Sequence, residues 1–546
     1  MMLKLSGDAG RIFSRVKNYL VSLRPFEEVK GEIEHIKPVN SMDEIVKRQK
    51  KVNKMIEIAK KVDFGRVEEL EIIKIKPKFF EDRVYIAKNE EEYQNALKLG
   101  VCEVLREDRE KGHPIILNDF VDEISLESFA PEIIIGAILE NIETFRALAE
   151  LEMELFGNER YEKILNDLLG LEEDYGKIEK LDRIVEKAGI IEAEINAEIE
   201  RRVSDVKLTI TGNELLKLLE KGEITGEIER LISSIVKKFE SEYINAGIHE
   251  PVFTRTYPVR VDRDSLLRAV ENARIRTSLD FYLKSLRIAK KLNVDEINSR
   301  IAFYRKLGLY KDFADYGFTF PEFGDGTEFR GGKNIFINNP EPVSYCIGKS
   351  DFFGRYENIA ILTGANSGGK TSLLELVCQI VILAHMGFPV NAERARVSVY
   401  DEIFYFKKKQ SSYGSGAFEK AIMSLAKAIS GGGRKLILID EFESVTEPGA
   451  GAKILASLLK IANSKGHHVI AVSHLGEEFM EFEFLRIDGI EARGLDEGLN
   501  LVVTRQPVFG KIGKSTPELI IERLMEKSKG ETREIFVEML RMFKEM

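Results

Sequence analysis

The sequence predicts a multidomain protein in which an α-helical lever with a long two-helix arm precedes an α/β domain. The chain has 546 residues, which is more than one hydrophobic core holds and corresponds to about three or four units of roughly 150 residues each. Between residues 131 and 248, apolar side chains recur three or four positions apart, as they do along one face of a helix. After residue 321, short apolar runs typical of buried parallel strands are followed by helical segments.

We expect four segments along the chain. The first is a mixed helical core segment, the second carries the lever and the arm with a compact tip, the third is the α/β domain, and the fourth is helical. Their expected bounds are 1–130, 131–320 with the tip at 206–226, 321–510 and 511–546.

Two apolar stripes define the predicted arm. They run through residues 184–199 and 228–239, each with helical spacing. In the tip between them, residues 208–211 have the composition of a short strand, and Thr211-Gly-Asn-Glu214 has the spacing of a capping box that begins the next helix.

The composition limits the possible partners and the compartment. A formal net charge of −10 argues against a uniformly basic nucleic-acid coat, so any nucleic-acid contact must use a local patch or an enclosed channel. The charged share of 32%, rich in Lys and Glu, and the lack of Trp favour a thermophilic source.

The cysteines and the hydropathy favour a cytoplasmic protein that does not enter a membrane. Cys102, Cys346 and Cys378 show no CxxC spacing, which fits a reducing cytosol and argues against a zinc site. The longest apolar run, residues 376–388, is short and contains His385, so we interpret it as a buried helix.

A phosphate-binding loop lies at the start of the α/β domain. Residues 364–371 read Gly-Ala-Asn-Ser-Gly-Gly-Lys-Thr and fit GxxxxGK[ST], directly after an apolar strand and before a helix. In such a loop the backbone N–H groups surround the phosphates, Lys370 neutralises them and the Thr371 hydroxyl binds Mg²⁺. We therefore predict ATP and Mg²⁺ as ligands, held by Gly364, Ala365, Asn366, Ser367, Gly368, Gly369, Lys370, Thr371 and Ser372.

Three further polar residues follow buried strands. Asp440 and Glu441 come directly after the apolar run 436–439, and we expect Asp440 to hold Mg²⁺ and Glu441 to act as general base. His474 follows the apolar run 469–472 and is expected to donate to the γ-phosphate. An exposed loop histidine is the alternative for His474, and His467 and His468 are interpreted as strand-entry residues.

Ser415 opens a further helix with a Ser-Gly pair, which is typical of an anion site. Ordinary helix capping is the alternative interpretation of this pair. In ABC-type ATPases, which this domain resembles, the equivalent segment reaches the γ-phosphate of the partner subunit, and the resemblance implies that role in trans for Ser415.

Several separate motifs resemble the MutS family of DNA mismatch-repair and recombination ATPases. Residues 364–371 resemble the family's GPNxGGK[ST], residues 387–392 its G-x-x-V-P-A, and residues 401–404 its D-x-I-F strand. Residues 440–451 are similar to the DELGAGTDPxEG pattern of the second bacterial paralogue and its archaeal relatives. The resemblance includes specific motifs over residues 359–475. Elsewhere it is limited to the architecture, in which a helical lever and a long two-helix arm are similar to the core and clamp of the family.

The resemblance implies a homodimeric ATPase whose arms close like a clamp on double-stranded or branched DNA, such as a Holliday junction, during recombination or repair. The C-terminal segment 511–546 would then serve dimerisation. Because the chain has no room for the family's mismatch-reading domain and stops soon after the ATPase, we expect neither mismatch recognition nor nuclease activity. Residues 415–418 and 331–334 depart from the family's Ser-Thr-Phe and Arg-His-Pro elements.

Other interpretations remain open at the level of the sequence. A ribosome-associated ATPase in translation quality control is the main alternative function, and an SMC-like tether is disfavoured because the arms are short. Residues 510–515 look like a second phosphate loop but are two residues short, and a loop after a strand is favoured. A solvated helix face is favoured over a phosphate-binding patch for the basic residues near the arm tip, Arg201, Arg202, Lys207, Lys217 and Lys221.

Overall fold

The computed structural model describes most of the chain. Described are residues 2–106, 115–121, 124–204, 211–213, 219–220, 226–245, 247–364, 368–407, 415–441, 448–495, 501–513 and 517–545. The chain forms two compact units, of which one comprises residues 1–62 and 304–546 and the other residues 63–303. The N-terminal residues therefore group with the α/β domain, whereas the sequence suggested a separate segment 1–130.

The described helices alternate with short strands at both ends of the chain and dominate its middle. In chain order they are α1 (Gly7–Leu23), α2 (Glu27–His35), α3 (Met42–Ala59), α4 (Phe64–Glu68), α5 (Glu90–Leu99), α6 (Leu126–Phe129), α7 (Pro131–Glu140), α8 (Ile142–Phe156), α9 (Arg160–Ser204), α10 (Gly226–Asn245), α11 (Arg263–Ala289), α12 (Val294–Asp315), α13 (Lys370–Met386), α14 (Ser415–Ile429), α15 (Pro448–Ser464), α16 (Pro517–Lys527) and α17 (Glu531–Glu545).

The described strands fall into four sheets. In chain order they are β1 (Lys4–Leu5), β2 (Phe80–Ile86), β3 (Cys102–Leu105), β4 (Ile115–Ile116), β5 (Glu322–Phe323), β6 (Thr327–Gly332), β7 (Val343–Ile347), β8 (Ile359–Gly364), β9 (Arg394–Val397), β10 (Glu402–Phe406), β11 (Lys435–Asp440), β12 (His468–Val472), β13 (Arg486–Ile490), β14 (Ala492–Leu495), β15 (Leu501–Val503) and β16 (Val508–Phe509).

The unit of residues 1–62 and 304–546 is built on a seven-stranded sheet. Its order is β1-β10-β11-β12-β8-β13-β16, and every pair is parallel except β13 with β16. Strands β8, β11 and β12 are buried along their whole length, as their apolar runs predict. Strand β1 joins the sheet edge when Lys4 and Leu5 pair with Glu402 and Ile403 of β10.

The unit of residues 63–303 is mainly helical. Helices α9, α10 and α11 pack around one apolar core, in which Ala188, Ile195 and Ile199 of the first predicted stripe are buried. From the second stripe Ile235 is buried, and Ile228, Leu231 and Phe239 pack at its edge. The predicted strand at 208–211 and the capping box at 211–214 lie largely outside the described residues.

A smaller mixed layer completes this unit. It has the strand order β3-β2-β4, with β2 in the centre. At its core Arg83 forms an ion pair with Glu132, and both side chains are less than a tenth exposed. Among the described residues, no helix combines the length and apolar character that a membrane crossing needs.

Candidate functional site

The candidate site lies where parallel strands β8, β11 and β12 end. The carboxyl ends of parallel strands meet at one edge of the sheet, and ligands collect there in open α/β folds. Strand β8 ends at Gly364 and β11 at Asp440, and His474 follows β12 by two residues. The fold thus brings three separate sequence motifs together.

The phosphate loop has the backbone that its glycines allow. Gly364 has φ +125°, and a Cβ there would lie 2.2 Å from the carbonyl oxygen of Ile490. Gly369 has φ +83° and precedes the first turn of α13. Both positions therefore require glycine. Ala365, Asn366 and Ser367 lie outside the described residues.

Lys370 is the first residue of α13 and is only 4% exposed. Its ammonium group donates a hydrogen bond to the carbonyl oxygen of Gly364, at the other end of the loop. A lysine that spans its own loop is poised beside the backbone N–H groups of a helix N-terminus, where an anionic group is stabilised.

Thr371 and Asp440 form a pair of hard oxygen donors. The Thr371 hydroxyl donates to both carboxylate oxygens of Asp440, at 3.0 and 3.2 Å. The Asp440 residue is 6% exposed. A buried carboxylate beside a hydroxyl is the donor set that Mg²⁺ prefers, so these two residues fit the ion that a phosphate loop implies.

Glu441 has an unusual backbone conformation. Its φ is +54°, a left-handed geometry that costs a non-glycine residue roughly 1 kcal/mol or more. The Glu441 N–H donates to the Val472 carbonyl at 3.2 Å, which ties the residue to β12. This backbone turn directs the Glu441 carboxylate toward His474, whose Nε2 lies 3.3 Å from Glu441 Oε1.

A cavity lies beside the first turn of α13. Its walls include Gly369, Ser372, Leu373 and Leu376 from the phosphate loop and α13, together with Asn334, Ile337, Pro340 and Glu341 from the segment before β7 and Val343 at the start of β7. Its two charged groups are Glu341 and Arg505, which lie 3.8 Å apart. The cavity volume is about 40 Å³, which is room for a few water molecules and not for a nucleoside, so the cavity marks a small apolar surface beside the phosphate loop.

Sequence reasoning did not find the residues that attach this segment to α13. Asn334 Nδ2 donates to the Ser372 carbonyl at 2.9 Å, and Gln379 Nε2 donates to Asn334 Oδ1 at 2.7 Å. Gln379 also accepts from the Ile335 N–H at 3.1 Å. Gln379 is fully buried on α13, a helix that is apolar almost throughout. A glutamine within such an apolar run is the sequence signal that could have indicated this network, because a buried amide needs hydrogen-bond partners.

Three further predictions from the sequence concern Ser415, residues 510–515 and His468. Ser415 begins α14, but its side chain lies outside the described residues. Gly513, within the stretch that resembled a second phosphate loop, follows β16 and donates its N–H to the Thr363 hydroxyl at 2.7 Å. The described residues of that stretch, 510–513, form a turn and coil after β16. His468 is the first residue of β12 and is 2% exposed, as a strand-entry residue should be.

A parallel sheet that ends in a glycine loop, a lysine and a Thr–Asp pair defines a P-loop nucleotide-binding protein. Comparisons with known proteins identify the family. The family model described as MutS domain V matches residues 360–482. The DNA-binding protein MutS2 of Pyrococcus furiosus is 44% identical over 499 residues, which are 86% of this chain and 87% of that protein.

Two further relatives match about a third of this chain. The DNA mismatch repair protein MutS of Fusobacterium nucleatum is 27% identical over 36% of this chain and 22% of its own length. The Endonuclease MutS2 of Ligilactobacillus salivarius is 27% identical over 31% of this chain and 22% of its own length. The chain belongs to the MutS family and is of the MutS2 type. Proteins of this family are ATPases.

Proposed function

We propose that this protein hydrolyses ATP at the site between β8, β11 and β12 and couples that reaction to DNA binding as a homodimer. The observation that carries the proposal is the contact of Thr371 with Asp440 next to the Glu441–His474 pair. These four side chains come from three motifs that are far apart in the sequence. A structural role alone does not require a hydroxyl, two acids and a histidine at one sheet edge.

The binding step is assigned to the loop and to α13. Residues 364–369 and Ser372 would surround the phosphates with backbone N–H groups, and Lys370 would exchange its Gly364 contact for phosphate oxygens. Thr371 and Asp440 would hold Mg²⁺, which supplies charge neutralisation during phosphoryl transfer. The nucleoside would lie against the apolar surface beside Leu373 and Leu376, where the small cavity opens next to the phosphate loop.

The hydrolytic step is assigned to Glu441 and His474. Glu441 would accept a proton from the attacking water at a carboxylate oxygen, because it follows the Mg²⁺-binding Asp440 and its backbone is held in a fixed turn. His474 would exchange its Nε2 contact with Glu441 Oε1 for a hydrogen bond that it donates to the γ-phosphate when ATP binds. Ser415 of the partner subunit would complete the site in trans, since Ser415 begins α14 at a helix N-terminus.

Homodimerisation is supported by the C-terminal helices. Helix α17 leaves Ile535 56%, Met539 38% and Met542 54% exposed on one face. Apolar side chains in such a row are typical of a helix that pairs with another surface. The segment 511–546 is therefore our proposed dimerisation segment.

DNA binding is proposed from the relative that matches over most of the chain, which is called a DNA-binding protein. The arm of α9 and α10 would form the clamp. Arg201 and Arg202 both form ion pairs with Glu198, which favours the solvated-face interpretation for them over direct phosphate contact. We propose double-stranded or branched DNA as the target, in recombination or repair, without mismatch reading and without cleavage by this chain.

A binding series tests the proposal. Linear duplex, mismatched duplex, a four-way junction and ribosomes are titrated at fixed salt, each with and without a non-hydrolysable ATP analogue. We expect DNA affinity to respond to nucleotide in the wild type and to ignore it in Lys370→Ala. Binding to ribosomes alone would replace DNA with a translational target, and equal nucleotide response in Lys370→Ala would refute the coupling.

A further inference from the structure

Arg15 of α1 contacts the nucleotide site from the N-terminal end of the chain. Its guanidinium carbon lies 3.8 Å from the centroid of the Phe336 ring, and Nη1 donates to Glu375 Oε1 at 2.9 Å. Glu375 lies on α13, one turn beyond Thr371, and Phe336 directly precedes Ile337 of the cavity wall. The Arg15 side chain thus joins α13 to the segment that borders the cavity beside the first turn of that helix.

The segment of residues 334–337 is held against α13 on both sides. On one side the Phe336 N–H donates to Asn334 Oδ1 at 2.9 Å, and Asn334 in turn is bonded to Ser372 and Gln379. On the other side the guanidinium of Arg15 stacks on the Phe336 ring. Removal of the guanidinium would therefore take away one of the two contacts that hold the segment.

Glu375 gives the Arg15 contact a fixed anchor. Its side chain is 12% exposed, and Lys407 Nζ lies 3.8 Å from the same carboxylate oxygen. Because the carboxylate is nearly buried, its partner is held in one geometry rather than moving freely in solvent. The Arg15 side chain itself remains 46% exposed, so its replacement leaves no large cavity.

We propose that Arg15 is a positioning residue for the nucleoside half of the bound nucleotide. It holds Phe336 toward α13 and so fixes the neighbouring Ile337 beside Leu373 and Leu376, which form the apolar surface against which the nucleoside is proposed to lie. The inference rests on the proposed ATP site and adds to it a part of the chain that the family's phosphate-binding motifs do not include.

The proposal separates the two halves of the nucleotide. The phosphates are assigned to Gly364, Lys370 and Thr371, and Arg15 has no described contact with any of these. Loss of Arg15 should therefore weaken binding of ATP but leave unchanged the binding of inorganic tripolyphosphate, which has no nucleoside.

The experiment compares Arg15→Ala, Arg15→Lys and Arg11→Ala in the full-length protein. Arg11 is the matched control because it lies one turn earlier on α1, is 81% exposed and pairs with Asp8. For each variant, kcat and KM for ATP are measured together with the inhibition constant of tripolyphosphate. Far-UV circular dichroism checks that each variant is folded.

Arg15→Ala is expected to raise KM for ATP about three- to tenfold, the range of a partly exposed cation–π contact with an ion pair, with kcat within about twofold. Arg15→Lys, which keeps a charge for Glu375, should recover part of the loss, and tripolyphosphate inhibition should stay constant. If Arg15→Ala unfolds, Phe336→Leu provides the same comparison because it removes the ring and keeps the ion pair.

An unchanged KM in Arg15→Ala, or a parallel loss of tripolyphosphate binding, would overturn the inference while leaving the ATPase proposal intact. A wild-type protein that neither hydrolyses ATP nor binds tripolyphosphate would instead overturn the proposed function, and the inference with it.

Discussion

Acid should destabilise the α/β unit through His468, whose imidazole is enclosed at the start of β12. Nδ1 lies 2.7 Å from the Tyr400 hydroxyl, which lies 2.7 Å from the Thr327 hydroxyl. Burial, together with smaller electrostatic contributions from Arg434 and His467, lowers the pKa of His468 from 6.5 to about 3. The imidazole is therefore neutral in the folded protein across the physiological range.

The direction of the effect follows from the lowered pKa. Above pH 6.5 both the folded and the unfolded states hold a neutral imidazole, so His468 does not affect stability there. Below pH 6.5 the unfolded state binds a proton that the folded state refuses, and stability falls until the pH reaches the folded pKa of about 3. One proton corresponds to about 1.4 kcal/mol per pH unit, so the loss is about 2 kcal/mol at pH 5.

The test uses His468→Gln, whose amide oxygen can still accept from the Tyr400 hydroxyl but does not titrate. Urea unfolding is followed by far-UV circular dichroism between pH 7.5 and pH 5, because the chain has no Trp. As the pH falls, the free energy of unfolding should decrease less steeply in His468→Gln than in the wild type. The difference between the two slopes should correspond to nearly one proton, or about 1.4 kcal/mol per pH unit. His385 and His467, whose pKa values burial also lowers, contribute equally to both proteins.

His249→Gln, which replaces an exposed histidine, is the matched control for the loss of an imidazole. Equal slopes for the wild type and His468→Gln would refute the assignment of a proton-excluding site to His468.

Two further substitutions test other parts of the structure. Glu132→Gln should lower the free energy of unfolding by about 3–5 kcal/mol, because it leaves the Arg83 charge buried without its carboxylate. The control is Glu140→Gln, in an exposed pair with Lys76, which should cost less than about 1 kcal/mol in the same urea denaturation assay. Equal losses in the two variants would contradict the argument. Gly364→Ala should abolish ATP binding measured by calorimetry, because its Cβ would overlap the Ile490 carbonyl, and normal binding would show that the loop is built differently.

The sequence predicts the parts of the site that are contiguous in the chain. The phosphate-loop motif, the acids at the end of β11 and the buried strands each follow from local spacing and apolar runs. The structure brings Gly364, Thr371 and Asp440 together at one sheet edge. Burial along the arm stripes was also predictable, since Ala188, Ile195 and Ile199 keep helical spacing.

Features that depend on distant pairing were not predictable. Strand β1 is only two residues long, and nothing in Lys4-Leu5 indicates that they pair with β10 some 400 positions later. The attachment of Asn334 to Ser372 and the stack of Arg15 on Phe336 likewise depend on tertiary contacts. The grouping of residues 1–62 with residues 304–546 in one compact unit also depends on such distant contacts, which local sequence patterns do not indicate.

The measurement that tests the central assignment most directly is single-turnover hydrolysis of ATP by Glu441→Gln, with ATP affinity measured on the same protein. If Glu441 is the general base, the variant binds ATP as tightly as the wild type, and hydrolysis slows by about 10²- to 10⁴-fold. Hydrolysis at the wild-type rate, with ATP bound normally, would contradict the account.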